Sequence, residues 1–280
     1  MRHIDHIVVA VRDLDRAADV YRSLGFQVGS RNRHPWGTEN RIIQFGSSFV
    51  ELITVGDDAR RIEPHQERGF SFGAFVRDYL RNREGIAMLV LSSADAVADA
   101  ARFAEQGIGG YEPFFFERKA KRPDGAETHV AFTLAFASDC KAPDAGFFVC
   151  QQHFPENFWN HSFQQHANSA ANIAAVTLTA GDPKWHENFL SRFSGAEKQS
   201  LPDGRLLLAL DKGRIEVAAP TEAQRQSFAL PLFTSFAVRV GEIDAVIRLL
   251  KTERIPFTSS KSGVALASSI CFGVELRFEM

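Results

Sequence analysis

Four times along the chain an apolar run gives way to an acidic residue, then to an amphipathic stretch, then to strand-like alternation. His6 to Val11 precedes Asp13 and a helical pattern from Leu14 to Leu24, closed by Gly25-Phe26. Met88 to Leu91 precedes Asp95 and the stretch Ala96 to Gln106. Ala175 to Leu178 precedes Asp182 and Pro183 to Phe193, and Phe236 to Val240 precedes Glu242 and Ile243 to Glu253. In the first stretch Leu14, Ala17, Ala18, Tyr21 and Leu24 recur at helical spacing between charged residues, which predicts a helix packed by one face on a sheet. Each acid stands where a helix start favours a side-chain acceptor and a negative charge.

Strand pairs follow every helix. Arg41 to Phe45 and Phe49 to Ile53 flank Gly46-Ser47-Ser48, which reads as a hairpin. The design returns at Arg205 to Leu210 with Arg214 to Ala218, and again at Val264 to Ala267 with Gly273 to Phe278. In the second repeat the pair is Thr128 to Ala137 and Phe147 to Gln152, with an insertion around Phe114 to Thr128. Aligning Phe148-Val149 with Phe49-Val50 places Cys150 where the first repeat has Glu51; the third and fourth repeats carry Glu216 and Glu275 there. The predicted chain is α+β, four βαβββ units in series.

Such a chain resembles the vicinal oxygen chelate superfamily, which includes glyoxalase I, extradiol dioxygenases and bleomycin-resistance proteins. The segments HIVVAVRDLD, HPWGTENRIIQFG and FVELI are most similar to its glyoxalase-like branch. The resemblance implies two tandem cup-shaped mixed-sheet domains, residues 1–160 and 168–280, joined through the polar stretch Asn160 to Ser169. It also implies an active site inside a cup. Metal-dependent members draw their ligands from the first and last strands of paired units, because alternating side chains let one residue per strand face inward. Here those positions hold His6 and Glu51 in repeat one, but Met88 and Cys150 in repeat two. Gln152 and His153 are the candidates to complete a shell around a divalent Zn, Ni, Mn or Fe(II) ion. At the same positions the second half offers Ala175, Ser235, Glu216 and Glu275, none of them a histidine, so a metal is not expected there; this also argues against an extradiol dioxygenase, which keeps its iron in the C-terminal domain.

Candidate substrate contacts are His34, Trp36 and Asn40 in a Pro- and Gly-marked turn, Met88 and Cys150 in the cup, and His129 on a neighbouring strand. Glu51 is the candidate catalytic carboxylate. Phe114 to Phe116, Phe132, Phe136, Phe147 and Phe148 promise a largely apolar pocket. The basic run Arg118 to Arg122 reads as a solvated hairpin tip.

Composition narrows the partners. The 280 residues are 45% hydrophobic and 24% charged, enough apolar material for a substantial core. A formal charge of −2 offers no basic excess for nucleic acid. No apolar run approaches a membrane span, and Asp5, His6 and Asp13 interrupt any secretory pattern at the start. Three cysteines without CxxC spacing fit a reducing cytoplasm. The expected partner is a small molecule, with a homodimer left open. Three readings stand first: a metal-dependent lyase or isomerase on a small apolar oxygen-bearing substrate, a binding protein of the bleomycin-resistance kind, and a metal-free enzyme using His6 or His34 as base; a ring-cleaving dioxygenase stands behind them.

Overall fold

The computed structural model describes residues 2–121, 127–227 and 231–280. Its elements fall into the four expected βαβββ units. The first comprises β1 (Ile4–Ala10), α1 (Leu14–Ser23), β2 (Asn32–Arg33), β3 (Thr38–Gln44) and β4 (Phe49–Val55), followed by an additional helix, α2 (Phe72–Asn82). The second comprises β5 (Gly85–Ser92), α3 (Ala96–Glu105), β6 (Phe114–Lys121), β7 (Glu127–Ala137) and β8 (Gly146–Gln152), followed by a short helix, α4 (Pro155–Phe158). The third holds β9 (Ala170–Thr179), α5 (Glu187–Ser194), β10 (Lys198–Ser200), β11 (Leu206–Ala209) and β12 (Arg214–Ala218), with α6 (Glu222–Ser227) after it. The fourth holds β13 (Leu232–Val240), α7 (Ile243–Thr252), β14 (Thr258–Ser260), β15 (Gly263–Leu266) and β16 (Glu275–Glu279).

Every unit repeats one topology. The first strand pairs in parallel with the last, which continues antiparallel through the third strand to the second. A parallel pair needs a long crossover, and the helix supplies it. First strands then pair antiparallel, β1 with β5 and β9 with β13, while Ile86 and Phe233 link β5 to β13. Period-2 alternation assigns the faces. Ile7, Val9, Leu89 and Leu91 turn toward the helices and join a core that runs through both halves; Val8, Ala10, Met88 and Val90 turn the other way, into the first-half cup.

Asp13 and Asp95 cap α1 and α3, each accepting from the backbone N–H three residues on. Asp182 caps the tight turn ahead of α5 through Lys184 N. Glu242 makes no capping bond. Its side chain is one methylene longer and reaches toward Arg248 instead, at 3.7 Å.

The parallel registers correct the repeat alignment. His6 lies opposite Phe49, with Glu51 two residues farther along; Ala175 lies opposite Arg214, with Glu216 two farther along. In the second unit Met88 lies opposite Gly146, so the residue matching Glu51 is Phe148 and not Cys150. Gly146 enforces this, since a Cβ there would stand 2.6 Å from Met88 Cγ. In the fourth unit Ser235 faces Glu275, which moves the equivalent position to Arg277.

Helix α2 decides the shape of the first cup. Ser71 caps it, and Phe72, Val76, Tyr79 and Leu80 insert into the apolar cup lining at helical spacing. Gly73 lets the first turn approach closely, because a Cβ there would sit 2.8 Å from the Trp36 carbonyl oxygen. One end of the cup is thereby closed.

Candidate functional site

The first-half cup gathers its polar side chains on one wall. His6 from β1 and Glu51 from β4 both point inward, with His6 Nε2 4.0 Å from Glu51 Oε2. Both are almost fully buried. Phe49 stacks on the His6 ring at 4.2 Å and Phe148 meets its edge at 5.5 Å, so the imidazole is held between aromatic faces.

Asp5 joins them through an irregularity in β1. The pairing with β5 shifts register between Ile4 and His6. Ile4 and Ile7 consequently both enter the helix-side core, while Asp5 and His6 share the cup side. This is the re-aiming that an extra strand residue produces. Asp5 Oδ1 lies 2.6 Å from His6 Nδ1, and its other oxygen accepts from Gln152 Nε2 at 2.8 Å. A carboxylate only accepts, so in the neutral imidazole Nδ1 carries the proton and Nε2, on the Glu51 side, is left with the lone pair.

A second chain of hydrogen bonds fixes the opposite side. Asn40 on β3 donates through Nδ2 to Glu51 Oε1 and to His34 Nε2, while its Oδ1 accepts from Asn32. His34 in turn donates through Nδ1 to Thr38 Oγ1 at 2.8 Å, and Trp36 stacks on its ring. Burial holds His34 below the ordinary 6.5; Glu51 opposes that shift and Arg118 reinforces it. The unfolded chain binds this proton more readily, so the contribution of neutral His34 to stability is complete above about pH 6.5 and declines as pH falls below it. Burial lowers His3 and His166 as well. Between about pH 7 and about pH 5 the denaturation midpoint of the wild type is therefore expected to fall more than that of His34→Asn, as urea titrations at several pH values will measure.

The remaining walls are apolar. Phe49, Phe72, Phe116, Phe132, Phe148 and Phe158 line the cavity beside Trp36, Ile42 and Leu134, leaving about 60 Å³ of free space. Cys150 also lines it, and burial together with Asp5 and Glu51 pushes its thiol well above the usual range. It stays protonated and is a poor nucleophile. Arg118 lines the cavity too, from the same face of β6 as Phe116. That corrects its reading as part of a solvated tip; Arg122, at the end of the same basic run, lies outside the described residues.

The structure therefore brings together His6, Glu51, His34, Trp36, Asn40 and Cys150 from the sequence candidates. Gln152 reaches the group indirectly, through Asp5. Met88 is buried in the cup lining but is not a wall of the cavity. His153 is exposed and bonded to Thr133, and His129 is half-buried and bonded to Glu117. Neither borders the cavity: the chain turns outward after β8, and His129 lies near the outer end of β7. Asp5, Arg118, Phe72 and Phe158 were not singled out from sequence.

A resident divalent metal does not suit this donor set. A catalytic ion is usually held by three protein ligands. Among the described residues no three His, Cys, Asp or Glu side chains are grouped to hold one. His34 Nε2 and Glu51 Oε1 are both engaged by Asn40, His6 Nδ1 by Asp5, and Cys150 is held as a thiol. Gln152 keeps a buried Oε1 without a partner among the described residues, but lies outside the cavity lining.

The second half treats the equivalent carboxylate differently. Glu216 accepts from Arg214 at 2.7 Å and has Arg277 and Arg205 within 3.7 Å, so arginines neutralise it in place. Glu216 thus serves an ion cluster, and half-exposed Glu275 lies off the equivalent position.

Comparison with known proteins agrees with this architecture. The sequence profile of the glyoxalase-like domain family matches residues 4–193. A crystallised hypothetical protein from Staphylococcus aureus superimposes with a TM-score of 0.71 at 14% identity, covering 100% of this chain and 99% of that one. A mutant 4-hydroxymandelate synthase from Streptomyces coelicolor gives 0.53 at 11% identity, covering 98% and 91%. A xylose isomerase-like TIM barrel/4-hydroxyphenylpyruvate dioxygenase fusion protein gives 0.52 at 11% identity, covering 99% of this chain and 48% of its own. At these identities the likeness concerns the fold, that of the vicinal oxygen chelate superfamily. No curated protein sequence matches the chain.

Proposed function

The chain belongs to the glyoxalase-like domain family, and on that premise we propose that its first-half cup is a proton-transfer site of the lyase or isomerase kind, acting on a small, mostly apolar, carbonyl-bearing molecule. The observation that carries this reading is the Asp5–His6 pair, with a 2.6 Å bond at Nδ1 and Nε2 on the side of Glu51, which lines the cavity together with His6. A general base needs a proton-accepting atom within reach of substrate and a second group that fixes its tautomer. His6 is the base and Asp5 the group that orients it. Glu51, 4.0 Å from Nε2, favours the positive charge that His6 gains on taking a proton. The aromatic walls keep water from competing and strengthen these electrostatic interactions. No step in this scheme passes through a metal.

The test is hydrogen exchange in D2O across a panel of small ketones and aldehydes, with deuterium entry beside the carbonyl followed by NMR. Wild-type protein is expected to catalyse exchange of at least one member, unchanged by chelator or by added Zn, Mn or Fe(II). His6→Gln is expected to lose about 10²–10⁴-fold in rate. Binding without exchange across the panel would favour a sequestering role, and exchange that depends on added metal would overturn the scheme.

A further inference from the structure

The cavity holds two hydrogen-bond donors that find no partner among the described residues. Arg118 lines it from β6, and makes no hydrogen bond or ion pair with any described residue. The Trp36 indole N–H is buried, also belongs to the cavity wall, and has no partner among the described residues. Buried or half-buried donors are ordinarily satisfied, so each such group calls for a partner. Glu51 is the nearest carboxylate to Arg118 in electrostatic terms, yet its Oε1 is taken by Asn40 and its Oε2 faces His6.

The position of Arg118 adds direction. Ile42, Arg118 and Phe158 line both the inner cavity and a second, roomier one of about 310 Å³ whose walls include Gln27, Asn32 and Asn160. Arg118 therefore stands at the neck between an aromatic chamber and an amide-lined vestibule. An arginine fork matches the two oxygens of a carboxylate, and weak solvation at a half-buried site strengthens that pairing. Burial also disfavours the isolated guanidinium charge there, so an anionic partner relieves a standing penalty.

We propose that Arg118 is the anchor for a carboxylate on the ligand, placing the apolar body of that ligand in the inner chamber against His6. This deepens the proton-transfer reading and rests on it only for the outcome of binding, not for binding itself. It narrows the substrate class to small monocarboxylates with an apolar body, and the anchoring holds the reacting end of the molecule beside Nε2.

The probes are benzoate and its neutral analogue benzamide, titrated by calorimetry into the intact protein. Wild type is expected to prefer benzoate by about 10-fold or more. In Arg118→Met the preference is expected to shrink to within about 3-fold, and in Arg118→Lys to be partly kept. His6→Gln is expected to preserve the preference while losing exchange, which separates failure of the anchor from failure of the base. Equal binding of the two probes to the wild type, absence of benzoate binding, or an undiminished preference in Arg118→Met would each overturn the assignment. The wild-type comparison stands even if the methionine variant does not fold.

Discussion

Asp5→Asn is expected to slow proton transfer by about 10²–10⁴-fold while changing benzoate affinity by less than about 3-fold. The size of the effect follows from the hydrogen bonds around the pair. Gln152 Nε2 donates to Asp5 Oδ2, so it would hold the amide oxygen of an asparagine and leave the NH2 group facing His6 Nδ1. Nδ1 would then have to accept, moving the imidazole proton to Nε2, where the base needs a lone pair. The substitution is nearly isosteric, so packing is retained. The split between rate and affinity distinguishes a positioning role from a structural one. A rate within about 3-fold of wild type, with the fold intact, would mean that Asp5 does not set the tautomer.

Phe147→Ala is expected to destabilise the protein by about 3–5 kcal/mol, the largest stability effect anticipated. Phe147 is almost fully buried on the helix-side face of β8. Its ring meets Phe189, Phe193 and Phe233 at 4.7, 5.5 and 5.4 Å, all from the second half of the chain. Truncation would therefore open a cavity where β8 packs against α5 and β13, among rigid rings that cannot collapse to fill it. Phe115→Ala, at a position 55% exposed, should stay within about 0.5 kcal/mol. Denaturant midpoints measured side by side check both; a loss below about 1 kcal/mol for Phe147→Ala would contradict the packing argument.

Much of this architecture could be read from the sequence because the four units obey local rules. Alternating apolar strands, acidic helix starts and Gly-marked breaks recur in the same order, and Asp13, Asp95 and Asp182 cap as their positions suggest. His6 and Glu51 were legible as cup-facing for the same reason: alternation fixes a face once the strand is known. Helix α2 carried its signal in Ser71 and the spacing of Phe72, Val76, Tyr79 and Leu80, which the repeat pattern overshadowed. Asp5 had no such signal, since strict alternation back from His6 would turn it into the opposite core; only the register shift reveals it. Cys150 and Glu275 were displaced because similar residue pairs were aligned where strand register, set in part by Gly146 against Met88, decides equivalence. Arg118 belonged to a basic run whose sequence resembles a solvated tip. Its inward orientation follows from which face of β6 meets the cup, a relation between distant strands that composition does not encode.

The claim on which the functional account turns is the protonation pattern of His6. Long-range proton–nitrogen correlation NMR on selectively labelled histidine, assigned through His6→Gln, reads it directly. In the neutral form Nδ1 should carry a strongly hydrogen-bonded proton and Nε2 none, and Asp5→Asn should reverse that pattern. A neutral His6 with its proton on Nε2 in the wild-type protein would contradict the account.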